Sequence, residues 1–197
     1  MIKLIAALGN PGPEYAKTRH NAGWIALDAW AKEAFSLPWK EDKNFKGLKT
    51  EVVMADKRVW LLKPTTFMNL SGEAVAAMAN FYKIKPEEIL IVHDEVAFEP
   101  GEMRLSFGGS SGGHNGIESI IQATGGQGLW RLRLGVGRGP KGEEGDWKGG
   151  QMTLSDWVLS SLPPEEIKAL EGERTREAIT AIVKDGPEQA QGRINSI

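Results

Sequence analysis

The sequence contains no cysteine and only three histidines, His20, His93 and His114. Without thiols there is no disulfide framework, no thiolate nucleophile and no cysteine-ligated zinc. A base that titrates near neutral pH must come from one of three side chains. Long apolar runs are missing too: none approaches the ~20 residues that span a bilayer. No charged stretch leading into a long apolar run is visible at the start, so the reading is of a cytoplasmic protein without a secretory signal. One-sided charge is also lacking. The 24 Lys and Arg residues face 26 Asp and Glu residues, for a net charge of −2. That balance excludes nucleic-acid binding by bulk electrostatics but leaves room for a local basic patch. Neither G-x-x-x-x-G-K-[ST] nor a G-x-G-x-x-G after the first apolar run is present, so nucleotide-dependent chemistry and a nucleotide cofactor are not indicated. The histidines do not recur at i, i+2 or i, i+4, and no metal is expected.

What is present suits a globular enzyme or binding protein. The 197 residues are 41% hydrophobic and 25% charged, enough to bury one sizeable core. Residues 1–197 read as a single α/β domain, because strand-like and helix-like runs alternate. Ile2–Leu8 is an apolar run stopped by Gly9-Asn10-Pro11-Gly12. Asn21 can cap a helix over about Ala22–Phe35, with Trp24, Leu27, Ala31 and Ala34 on one face. Glu51–Met54 and Val59–Leu62 read as a hairpin. Ser71 opens a helix with Val75, Met78 and Tyr82 on one face. Ile89–Val92 and Met103–Phe107 read as strands, Gly116–Ala123 as a helix, and Leu132–Val136 as a strand. Pro163-Pro164-Glu165-Glu166 opens one long helix carrying Ile167, Leu170, Ile179, Ile182 and Val183, closed by Asp185-Gly186-Pro187. The Gly-rich stretch Gly137–Gly150 reads as a mobile connector.

Polar residues of one kind follow the predicted strands: Asn10, Asn69, His93-Asp94 and Asn115. Ligands in open α/β sheets bind at strand carboxyl ends, so four such tips can share a site. A general base needs to be reachable and gains from a carboxylate that orients it. These residues alone leave open whether Asp94 orients His20 or caps a loop, and whether His20 is structural or catalytic. His93 reads as structural, since side chains adjacent along an extended chain point to opposite faces. Gly108-Gly109-Ser110-Ser111-Gly112 matches G-x-S-x-G formally. The order serine, acid, histidine that a nucleophile elbow requires is absent, because His114 follows with no acid between. A glycine loop against a phosphate or a peptide backbone is the better reading. Basic residues concentrate in residues 32–63 and 101–140, where a phosphate backbone can be held locally.

Several motifs together resemble one family. Leu8-Gly9-Asn10-Pro11-Gly12 with Tyr15 and Thr18-Arg19-His20-Asn21-Ala22-Gly23 is similar to the opening signature of bacterial-type peptidyl-tRNA hydrolases. Lys63-Pro64-Thr65-Thr66-Phe67-Met68-Asn69-Leu70-Ser71-Gly72 resembles their second motif. Val92-His93-Asp94-Glu95, Pro100-Gly101 and Gly112-Gly113-His114-Asn115-Gly116 resemble the third, and Arg131–Arg138 the fourth. The likeness spans nearly the whole chain.

The resemblance implies a monomer with a twisted mixed sheet flanked by helices in three layers. It implies hydrolysis, without cofactor or metal, of the ester joining a peptide to the 3′-terminal ribose of tRNA, which recycles tRNA lost from translation. The partner would be peptidyl-tRNA, met at its acceptor end and nascent peptide. By position His20 is the implied base, Asp94 its orienting partner, and Asn10 a third catalytic group. Tyr15, Asn21, Met68, Asn69 and Asn115 are implied at the substrate. The family carries a lysine where Ser106 stands, so the tRNA grip passes to Arg104, Arg131 or Arg133. Ser110-Ser111 also stand where the family's glycine run has its first histidine. The competing reading is a non-enzymatic RNA-binding protein on the same fold.

Overall fold

The computed structural model describes residues 1–35, 38–139 and 152–196. Most of the expected Gly137–Gly150 connector lies outside them, as does the side chain of Ala34. Among the described residues, seven strands form one sheet in the order β2-β3-β4-β1-β5-β7-β6. They are β1 (Leu4–Ala7), β2 (Lys40–Asp42), β3 (Gly47–Met54), β4 (Lys57–Pro64), β5 (Ile89–Glu95), β6 (Met103–Phe107) and β7 (Trp130–Gly135). The middle strands β4, β1, β5 and β7 run parallel. The β2–β3, β3–β4 and β6–β7 pairs are antiparallel, so the sheet is mixed, as expected.

The parallel centre explains why β1 and β5 are short unbroken apolar runs: both of their faces are covered. Ile5, Ala7, Leu90 and Val92 pack on one side against α1 (Ala22–Phe35), α6 (Glu173–Asp185) and α7 (Pro187–Asn195). Leu4, Ala6, Ile89 and Ile91 pack on the other against α2 (Ser71–Tyr82) and α3 (Asn115–Thr124). Alternation with period two thus divides one sheet between two cores, giving three layers. Gly72 lets α2 and α3 cross closely: a Cβ there would lie 2.1 Å from the Ser119 carbonyl oxygen.

Four expectations are corrected. The long C-terminal helix, which ends at Asp185 as expected, is two helices, α5 (Pro164–Leu170) and α6, with α7 following as a third. Gly172 is extended (φ −67°, ψ 163°) and separates the first two, while Gly186 at φ 92° separates the second from the third. Strand β5 runs through His93 and Asp94 rather than stopping before them. The hairpin is longer than expected, turning on Ala55 and Asp56 at φ 49° and 58°. Two positive φ values match a primed two-residue turn, for which Ala-Asp is a weak signal. Asn21 does not cap α1; its side chain bonds the backbone of Asn10. The short α4 (Leu154–Val158) and the polar β2 carry too few periodic residues to have been read from sequence. No helix among the described residues is long and apolar enough to cross a membrane.

Candidate active site

The carboxyl ends of the parallel strands open into a cavity of ≈ 680 Å³, within the range for small-ligand sites. Asn10 follows β1, Met68 and Asn69 follow β4, Asp94 is the last residue but one of β5, His114 caps α3 and Asn115 begins it; all of them line the cavity. His20 joins them from a 3₁₀ turn, Arg19–Asn21, just ahead of α1. Gly23 makes that approach possible. A Cβ on it would lie 2.3 Å from the Val92 carbonyl oxygen and 2.9 Å from the Leu8 nitrogen. The start of α1 therefore presses directly on β1 and β5, which brings His20 to Asp94.

His20 Nδ1 lies 2.9 and 3.0 Å from the two oxygens of Asp94. The carboxylate accepts, so the proton of neutral His20 sits on Nδ1 and Nε2 carries the lone pair. Burial alone would push the His20 pKa down. The charge and hydrogen bond of Asp94 more than offset that, and the net direction is upward. Asp94 is 2% exposed. Its burial would raise its pKa, but the charges and hydrogen bonds of His20 and His114 hold it well below the ordinary carboxylate range.

His114 is a second partner of Asp94. Its Nε2 donates to Oδ1 at 2.9 Å, while Nδ1 accepts from the backbone N–H groups of Gly116 and Ile117 at 3.1 and 3.4 Å. The same ring caps α3 and holds the carboxylate, and the two roles together define the Nε2–H tautomer. Only a spatial neighbour, not a sequence spacing, marks this residue. His93 is buried, donates from Nδ1 to the Asp94 carbonyl oxygen at 2.7 Å, and is pushed down to about 3 by burial and by His114. It stays uncharged beneath the site, in line with a structural part. His20, Asp94 and His114 bring donor atoms within 4.8 Å of one another. Their 2.9 Å N···O spacings are those of hydrogen bonds, which by themselves account for the proximity.

The asparagines divide into locked and open. Asn10 Oδ1 accepts from the Met68 N–H at 2.8 Å, so its Nδ2 is the group turned to the cavity. Asn21 holds Asn10 by both backbone groups, at 2.9 and 3.0 Å. It is 1% exposed and does not line the cavity; expected at the substrate, it positions Asn10 instead. Asn69 and Asn115 are exposed at the rim. Tyr15 meets the exposed Phe67 edge-on at 6.5 Å across one wall.

A further stretch of wall is formed by Leu154, Val158 and Leu159, which sequence reading missed. Arg19 places it. Its guanidinium donates to Ser161 O and Ser160 Oγ at 2.7 and 3.1 Å and lies 3.8 Å over the Trp157 ring. The three arginines expected to grip RNA differ. Arg104 is exposed, and Arg133 is paired with Glu95 at 2.7 Å; both lie over the Phe98 ring, at 5.4 and 4.6 Å. Arg131 is 5% exposed and donates to the carbonyl oxygens of Ser110 and Gly109. It is therefore not presented to solvent.

A family model described as "Peptidyl-tRNA hydrolase" matches residues 4–197. The chain belongs to the peptidyl-tRNA hydrolase family. A peptidyl-tRNA hydrolase of Delftia acidovorans is 42% identical over 195 residues, covering 99% of this chain and 87% of the relative. One from Symbiobacterium thermophilum is 43% identical and matched over 100% of both chains. The crystal structure of peptidyl-tRNA hydrolase from Acinetobacter baumannii superposes with a TM-score of 0.85 at 38% identity, covering 99% of this chain and 95% of that one. The peptidyl-tRNA hydrolase fold thus extends over the whole described chain, its cavity at the strand carboxyl ends.

Proposed function

We propose that the protein hydrolyses the ester between a peptide and the 3′-terminal ribose of tRNA, with His20 as general base and Asp94 as its orienting partner. The observation that carries this reading is the double contact of His20 Nδ1 with Asp94 at 2.9 and 3.0 Å. It leaves Nε2 as the free basic atom in a cavity that also holds three amides. Water gives a proton to His20 Nε2 as its oxygen attacks the ester carbonyl. The imidazolium that forms faces the Asp94 carboxylate, which favours the charged state. The oxyanion of the tetrahedral intermediate accepts from Asn10 Nδ2, a type of contact worth about 3 kcal/mol. Collapse of the intermediate expels the ribose 3′-oxygen, which takes the proton back from Nε2.

Asn69 and Asn115 bond the peptide amides in this reading, favouring peptidyl over free aminoacyl esters. Tyr15 and Met68 form the walls along which the substrate lies. Arg104 and Arg133 hold backbone phosphate. All these groups belong to one chain, in keeping with a monomer, and the activity returns tRNA from aborted translation. The test is incubation with N-acetyl-aminoacyl-tRNA. Wild type releases free tRNA and His20→Ala does not; no release by wild type overturns the reading.

A further inference from the structure

We infer that Arg131 is a positioning residue for this reaction, holding the glycine loop from which His114 reaches Asp94. The inference rests on the hydrolytic reading above and deepens it. Arg131 stands on β7 opposite Ile91 of β5. Arg131 and Arg133 are two residues apart and leave the same face of the strand. The first is buried, whereas the side chain of the second is 31% exposed. A phosphate on the outside of an RNA meets Arg133 and not Arg131.

What Arg131 touches is the loop 108–113. Its Nη1 donates to Ser110 O at 2.7 Å and its Nη2 donates to Gly109 O. Its Nε finds no partner among the described residues, so its hydrogen bonds go to the loop. Gly108, Gly109, Gly112 and Gly113 have φ of 70°, 90°, 60° and 84°. A glycine-rich segment in these conformations has much backbone freedom to lose. It is tied at one end by Gly108 N to Leu129 O at 2.9 Å and at the other by His114 N to Ser111 O at 3.0 Å. Arg131 anchors the stretch between.

The loop's last part forms the cavity wall through Ser111, Gly112 and Gly113. It leads directly into His114, the second donor to Asp94. Loosening the loop therefore displaces the wall, Asn115 and the partner of the orienting carboxylate together. Shifts of about 1 Å at such supports cost rate rather than substrate affinity.

The experiment compares Arg131→Met, Arg131→Lys and Arg133→Ala on N-acetyl-aminoacyl-tRNA and on a short peptidyl nucleotide. Arg131→Met should lower kcat about tenfold or more, by the same factor on both substrates, with KM little changed. Arg131→Lys, whose ammonium can reach the loop carbonyls, should recover part of the loss. Nitrogen-15 NMR of His114 adds a readout that a general loss of stability does not move. Wild type should show a protonated Nε2 and a bare Nδ1, and Arg131→Met a mixture of tautomers. If Arg131→Met does not fold, Arg131→Lys carries the test through the same equal loss on both substrates. A rise in KM for the tRNA substrate alone, as expected of Arg133→Ala, overturns the inference. So does an unchanged kcat with the His114 signature intact. If wild type cleaves neither substrate the hydrolytic reading fails, and the His114 spectra alone then decide whether Arg131 sets the loop.

Discussion

Asp94 Oδ1 accepts from His20 Nδ1 and from His114 Nε2, each at 2.9 Å. His20 comes from before α1 and His114 from before α3, 74 residues before and 20 after the carboxylate in the chain. One carboxylate thus couples His20 to the cap of a helix on the other side of the sheet.

The pH dependence follows from the raised pKa of His20. As the proposed base, His20 must be neutral to act, so kcat/KM should rise with pH through a midpoint above the ordinary value of 6.5. Asp94→Asn removes the charge that raises it while leaving the burial, so the midpoint should move down. The same change should lower kcat about 10²-fold. pH–rate profiles of the two proteins check both; an unmoved midpoint counts against the pairing.

His114 has two separable jobs. His114→Ala loses both the cap of α3 and the contact with Asp94. The cap is worth about 1 kcal/mol, or roughly 2–4 °C of Tm in a domain this size. His114→Asn can restore the cap, since asparagine is a favoured capping residue, but cannot reach Asp94 in the same way. Tm should therefore recover in the asparagine variant while kcat stays low, which thermal melts and kinetics together decide.

Gly23→Ala places a methyl 2.3 Å from the Val92 carbonyl oxygen. Overpacking of this kind costs about 1–3 kcal/mol. Because the collision lies between α1 and β5, it should also push His20 from Asp94, so activity and Tm should fall together. A variant with wild-type kcat would show that the helix can shift without disturbing the pair.

Arg133→Ala should raise KM for peptidyl-tRNA far more than for a short peptidyl nucleotide. It should also make binding less salt-dependent, with the slope of log K against log salt reduced by about one. Equal effects on both substrates count against the phosphate contact. Glu95 pairs with this arginine at 2.7 and 3.0 Å, so a phosphate binding as proposed would displace it or use the remaining N–H groups.

Patterns along the chain were readable where local chemistry decides. The apolar runs of β1 and β5, the periodic faces of α1 and α2, and the turn after Leu8 are properties of neighbouring residues. Misreadings occurred where distant contacts decide. Gly172 sits inside a helix-like pattern, yet the chain bends there, Thr175 Oγ1 bonding the Ala169 carbonyl at 3.2 Å across the break. The wall residues of α4 depend on Arg19 stacking on Trp157, 138 positions apart by their numbers.

The residue types needed for the chemistry were determined by the sequence alone: no thiol, three histidines, and asparagines and Asp94 near strand ends. Their partners were decided only by the tertiary structure. His114 emerged as the second donor to Asp94, Asn21 as the clamp on Asn10, and Arg131 as a buried anchor rather than a surface contact. The physical reason is that a hydrogen bond depends on distance and direction in space. The register of β5 with β7 and the close crossing at Gly23 set those, and neither can be read from a residue's place in the chain.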